Sequence, residues 1–140
     1  MNKSVFVDTS AWFAGLVKND QAHKKATTEQ QKLVKGKARF FTSNLVVHET
    51  TMLLERKVNR REAINFLSTI ITDPNVEIIH ASPNIEHDAY MLYKKYNDQD
   101  YSMTDCVSFE IMKHFNIQRA FTFDEHFITR GFGVVPQINY

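Results

Sequence analysis

The chain has 140 residues, 43% hydrophobic and 24% charged, with only four glycines and three prolines, which excludes a disordered or low-complexity protein and predicts one domain over 1–140. The net charge of +1 lacks the strongly basic signature of many nucleic-acid binders but leaves room for a basic patch, with Lys24, Lys25, Lys32, Lys35, Lys37, Arg39, Arg56, Lys57, Arg60 and Arg61 as its candidates. Along the chain, the opening MNKSVFVDTS has only a three-residue apolar run before Asp8, too short for a signal core. No stretch approaches the roughly 18 apolar residues of a membrane span, so a cytoplasmic protein without a membrane partner is expected. Residues 3–7 (KSVFV) read as a first strand, followed by a helix carrying Ala11, Leu16 and Val17. A polar helix starts at Asp20 as N-cap, carries Ala22, Ala26 and Leu33, and stops at Gly36. The second strand is 39–42 (RFFT). Ser43 or Asn44 then caps a helix with Leu45, Val46, Met52 and Leu53, and the segment from Arg60 to Ile71 sets Ala63, Ile64, Leu67 and Ile71 at helical spacing. Strand 76–79 (VEII) and Pro83 lead to a helix with Ile85, Ala89, Leu92 and Tyr93. A sixth helix runs from Ser102 to about Phe115 and contains Cys106, the only cysteine, which excludes an internal disulfide and reads as a small buried hydrophobe. Strands at 120–123 (AFTF) and 133–135 (GVV) close the chain. Strands alternating with helices, and nearly continuous apolar strands, define an α/β fold with a parallel sheet of about five strands covered by helices on both faces.

In an open parallel sheet, ligands bind in the crevice at the carboxyl ends of the strands. Asp8 and Asp124 each directly follow a strand and lie on that rim, where the bland alternative is an Asp accepting backbone N–H bonds in a strand-to-helix turn. Glu49 shares a helix face with Leu45 and Leu53, an apolar setting that calls for a reason. Asp105 has Phe109 and Met112 at i+4 and i+7, again an apolar stripe; the competing reading is a capping box, since SMTD fits S-x-x-D with Ser102 as N-cap. If the four acids converge on one edge, each close pair repels by about 1 to 4 kcal/mol, a sizeable part of a domain stability of about 5–15 kcal/mol. A hard divalent cation, Mg²⁺ or Mn²⁺, neutralises them while using their oxygens as ligands, and such a site supports phosphoryl-transfer hydrolysis. Six histidines, at 23, 48, 80, 87, 114 and 126, show no H-x-x-x-H or comparable ligand spacing and read singly as surface or core residues. Neither G-x-G-x-x-G nor G-x-x-x-x-G-K occurs, which argues against a nucleotide-binding module. A phosphatase of the haloacid-dehalogenase type needs a second Asp two positions after the first, where Ser10 stands.

The segments VFVDTSAW, NLVVHE, DYSMTDCVSFEIM and AFTFDEHFITRGF, in this order, resemble PIN-domain ribonucleases, in particular VapC-type toxins of bacterial toxin–antitoxin pairs. The resemblance spans essentially the whole chain. It implies a PIN-like fold and a Mg²⁺- or Mn²⁺-dependent endoribonuclease whose acidic quartet falls on Asp8, Glu49, Asp105 and Asp124. It further implies an RNA substrate, a homodimer and inhibition by a cognate antitoxin. Thr9 and Ser10 match small hydroxyl residues after the first acid, and Thr122 matches a hydroxyl residue two before the last, where the strand period turns it the same way as Asp124. Asp8, Asp105 and Glu49 are the expected ligands of the principal metal, and Asp124 the ligand of a second ion or the orienter of the attacking water. Ser102 supports Asp105, and Asp100, with Asp98 nearby, is a further acid close to the site in the chain. A stand-alone nuclease of RNA maturation and a non-catalytic PIN-fold interaction module are the alternatives; the presence of all four acids speaks against the latter.

Overall fold

The structure, a computed structural model, describes residues 3–137. Its elements are β1 (Ser4–Val7), α1 (Thr9–Leu16), α2 (His23–Lys35), β2 (Arg39–Ser43), α3 (Asn44–Lys57), α4 (Arg60–Thr72), β3 (Val76–Ile79), α5 (Pro83–Lys95), α6 (Met103–His114), β4 (Arg119–Phe121), α7 (His126–Thr129) and β5 (Gly133–Val135). The strands form one sheet in the order β3-β2-β1-β4-β5, and every neighbouring pair is parallel. The expected α/β architecture with five parallel strands is thus what the chain adopts.

β1 shows why the strands read as unbroken apolar runs. Val5, Phe6 and Val7 are all buried, but alternate residues face opposite ways. Phe6 belongs to the core packed by α5 and α6, whereas Val5 and Val7 belong to the core beneath α1 and α2. A third cluster joins α3 to α4 through Val47, Leu54, Ala63, Phe66 and Ile70. Trp12 borders all three clusters; its indole N–H donates to Thr42 Oγ1 at 3.3 Å, and that hydroxyl donates to the Val7 carbonyl at 3.0 Å. The two central strands and α1 are locked together at the rim where β1 ends.

Several boundaries and faces differ from the sequence reading. α2 begins at His23, because the Asp20 carboxylate accepts from the Ala22 amide in a turn of its own before the helix starts. β4 ends at Phe121, before Thr122 and Phe123, where the Phe123 and Asp124 amides bond side-chain hydroxyls, Ser10 Oγ and Thr122 Oγ1, in place of a neighbouring strand. The short α7 after Asp124 was not expected. Ile64 and Ile71, assigned to the inner face of α4, are 53% and 68% exposed; Ala63, Phe66 and Ile70 form an equally regular apolar stripe, and that is the one that packs on α3. Leu16, Met52 and Tyr93 are likewise exposed. Cys106 is fully buried, and burial, with Asp105 nearby, pushes its thiol up to about 11, so it is the inert core residue expected. The lysines and arginines named as a candidate basic patch are all exposed.

Candidate metal centre

Sheet register builds the centre of the site. β1 and β4 pair Val7 with Phe121, so the next residues, Asp8 and Thr122, emerge side by side on the same face. Asp8 occupies the N-cap position of α1 yet makes no side-chain cap bond. Its carboxylate turns instead to Thr122, whose Oγ1 donates to Asp8 Oδ2 at 2.9 Å. Having spent its proton there, Thr122 Oγ1 accepts from the Asp124 amide at 3.0 Å, and Ser10 Oγ lies 3.1 Å away. Ser10 Oγ itself accepts from the Phe123 amide at 2.9 Å. Two hydroxyls therefore tie the end of β4 to the end of β1 and fix both Asp8 and the backbone that carries Asp124.

Asp105 arrives from the start of α6. The capping box is real: Ser102 Oγ accepts from the Asp105 amide, and Asp105 Oδ2 accepts from the Ser102 amide, both at 3.0 Å. The two readings of this residue are compatible, because the box that caps the helix also aims the carboxylate into the crevice. Its Oδ2 lies 3.2 Å from His126 Nδ1, and the same nitrogen lies 3.3 Å from Asp124 Oδ1. Asp124 Oδ1 also accepts from the His126 amide at 2.9 Å, the turn geometry weighed for this residue. Among the described residues, Asp105, Asp124 and His126 bring their ligand atoms within 4.8 Å of one another.

Asp8 is 5% exposed, and burial is the main reason its carboxyl is raised to about 7; Asp105 and Asp124 push it further the same way, against the bond from Thr122. Asp105 is raised too, chiefly by burial and then by Asp124, with the Ser102 amide and His126 opposing. These are carboxylates that resist ionising together without a cation.

The remaining expected residues are placed as follows. Glu49 lies in the second turn of α3 on the half-exposed stripe beside the helix's buried face, which is made by Val46, Val47, Thr50 and Leu54; it stands outside the tight group. Thr9 is buried, with its hydroxyl unpartnered. Asp98 and Asp100 are exposed between α5 and Tyr101. His126 is what sequence reasoning missed: spacing rules between histidines gave no signal, but its position two residues after a rim acid did. A cavity of about 720 Å³ lies between α1, α2 and α4, lined by Trp12, Leu54 and Phe66 among others, and none of the four acids borders it.

The donor set fits a hard divalent ion. It consists of carboxylate oxygens and one imidazole nitrogen; Asp105 Oδ2 and Asp124 Oδ1 each accept one backbone amide bond, and each keeps a second lone pair for an ion, beside its carboxylate's other oxygen.

The fold and the acidic rim define a class. The PIN-domain family model matches residues 5–132, and the chain belongs to that family. The 23S rRNA-specific endonuclease VapC20 of Mycobacterium tuberculosis, from two strains, is 33% identical over 131 residues, covering 91% of this chain and 95% of the relative. The crystal structure of M. tuberculosis VapC20, described as a sarcin-ricin loop cleaving toxin, superposes with a TM-score of 0.82 at 32% identity, over 91% of this chain and 95% of that one. FitAcB from Neisseria gonorrhoeae superposes with a TM-score of 0.68 at 13% identity, over 93% and 95% of the two chains, a likeness of fold. No helix among the described residues is long and apolar enough to cross a membrane.

Proposed function

We propose that this chain is a metal-dependent endoribonuclease of the VapC type, the toxin of a toxin–antitoxin pair, acting on RNA in the cytoplasm. The observation that carries the reading is the convergence of Asp8, Asp105 and Asp124, from three distant parts of the chain, on the carboxyl-end rim of the sheet, with Asp8 buried beyond what its charge tolerates alone. Asp8, Asp105 and Asp124 would hold Mg²⁺ or Mn²⁺, with Glu49 reaching the site from α3. When bound, the ion supplies Lewis acidity toward a phosphodiester and lowers the pKa of a water. The chain's own residues set the stage: Thr122 and Ser10 orient Asp8, Ser102 orients Asp105, and the turn at His126 orients Asp124. Structured ribosomal RNA is the substrate class to try first, by the likeness to VapC20.

The test is cleavage of an RNA containing the sarcin–ricin loop, with an unrelated RNA beside it, across a Mg²⁺ and Mn²⁺ series with EDTA as control. Cleavage that needs the metal and is lost in Asp105→Asn is expected. Cleavage that persists in EDTA, or at the parental rate in Asp105→Asn, overturns the reading. The toxin assignment adds a homodimer and an antitoxin whose tail places an Arg against the carboxylates, a bidentate pairing that competes with the metal. Co-expression with the adjacent small reading frame should give a complex and relieve growth arrest; neither outcome would leave a stand-alone nuclease of RNA maturation.

A further inference from the structure

We infer that His126 is a nitrogen ligand of this metal centre and that it biases the site toward Mn²⁺ and other first-row transition ions over Mg²⁺. The inference rests on the metal reading above and deepens it, since the family resemblance supplied only acids. His126 Nδ1 stands 3.2 Å from Asp105 Oδ2 and 3.3 Å from Asp124 Oδ1. One Nδ1–H cannot satisfy both oxygens, and both separations exceed the roughly 2.7–2.9 Å of a good charge-assisted hydrogen bond. They fall between the roughly 2.8–3.0 Å that separates neighbouring ligands of an octahedral ion bound at about 2.0–2.1 Å and the roughly 3.3–3.4 Å of a tetrahedral one, the spacing of donor atoms able to share an ion.

The ring is held for this purpose from several sides. The edge of Tyr101 meets it at 5.2 Å and an interplanar angle of 79°. Thr129 Oγ1 donates to the His126 carbonyl at 2.8 Å, so the Tyr101 hydroxyl, 2.8 Å from Thr129 Oγ1, is left to donate to it. The His126 amide is fixed by Asp124. The side chain is 26% exposed, enough for an ion and its waters to reach it. To bind, the ring presents the Nδ1 lone pair and carries its proton on Nε2. A neutral imidazole suits transition ions, whereas Mg²⁺ prefers oxygen, so this one nitrogen sets the ratio of the two affinities.

His126→Asn tests this directly, because the amide oxygen stands near where Nδ1 was and replaces a nitrogen donor by an oxygen. Mn²⁺ bound to the folded parent should show ¹⁴N modulation from a directly bonded nitrogen in pulsed electron paramagnetic resonance. The signal should persist in His114→Asn, altered on the far end of α6, and vanish in His126→Asn. The Mg²⁺ concentration needed to displace half of the bound Mn²⁺ should fall by about tenfold in His126→Asn. Mn²⁺ bound to the parent without a directly bonded ¹⁴N, or an unchanged Mg²⁺/Mn²⁺ ratio in folded His126→Asn, overturns the inference while leaving the metal site standing. If His126→Asn does not fold, a parent ¹⁴N signal that survives in His114→Asn, whose imidazole stands with Asp88 and Glu110 in the other group able to hold an ion, supports the inference, and one that vanishes there overturns it. No Mn²⁺ bound to the parent at all overturns both this inference and the metal reading beneath it.

Discussion

Replacing Asp8 by Asn should change how the metal-free protein's stability depends on pH, and the size of the change follows from the burial of this one carboxyl. Asp8 is held at about 7 in the folded chain against an ordinary 3.8. Between those values the folded state keeps a proton that the unfolded state has lost, so raising the pH favours unfolding. The contribution of Asp8 is fully present below 3.8 and is lost as pH rises through about 7. At about 1.36 kcal/mol per pH unit, ionised Asp8 costs the metal-free fold about 4 kcal/mol above neutrality, of the same order as a whole domain's stability. In Asp8→Asn nothing titrates at this position. Urea unfolding in EDTA, followed through Trp12, which packs against Phe66 at 5.9 Å, should show parent and variant nearly equal at pH 3.5 and the variant ahead by up to about 4 kcal/mol at pH 8. Added Mn²⁺ should return stability to the parent far more than to the variant. Identical pH profiles for the two proteins in EDTA would refute the claim that Asp8 is buried as a strained carboxylate.

Three further outcomes follow from the same geometry. Thr122→Val keeps the shape but removes the donor to Asp8 and the acceptor for the Asp124 amide; unfolding at neutral pH should show a loss of about 1–3 kcal/mol, with weaker Mn²⁺ binding by calorimetry. Asp105→Ala should lower metal-free stability by about 1 kcal/mol through the lost capping box, whereas Asp105→Asn, which keeps an acceptor for the Ser102 amide, should melt near the parent in EDTA yet gain little from Mn²⁺. Glu49→Gln should depress RNA cleavage while reducing Mn²⁺ affinity less than Asp105→Asn does, because Glu49 stands outside the tight group; equal losses of affinity would place it in the direct ligand set.

Much of the architecture is legible because the strands are short, apolar and separated by helical patterns, and because strand ends in a parallel sheet point to the rim. Asp8, Asp105 and Asp124 could be singled out by position alone. Periodicity was weaker on α4, where two apolar stripes compete and only packing against α3 decides that Phe66 and Ile70 go in while Ile64 and Ile71 stay out. It was also insufficient for Glu49, since Leu45 and Leu53 flank the buried face of α3 rather than form it. His126 escaped because a search for pairs of histidines cannot find a histidine that completes a set of acids, one of them, Asp124, two positions before it and the other, Asp105, 21 positions away. The Thr122–Asp8 bond illustrates the opposite case: the sequence spacing sets Thr122 two positions before Asp124, and the register of β1 against β4 supplies Asp8 as its partner.

That bond spans 114 positions, so the first acid of the chain is synthesised long before the hydroxyl that holds it. At about 5–20 residues per second, roughly 6 to 23 seconds separate the two on a ribosome. During that interval the nascent chain carries Asp8, then Glu49, then Asp105, with β4 not yet there to pair with β1. A product ending between Asp105 and Thr122 has three of the four acids and no frame to hold them.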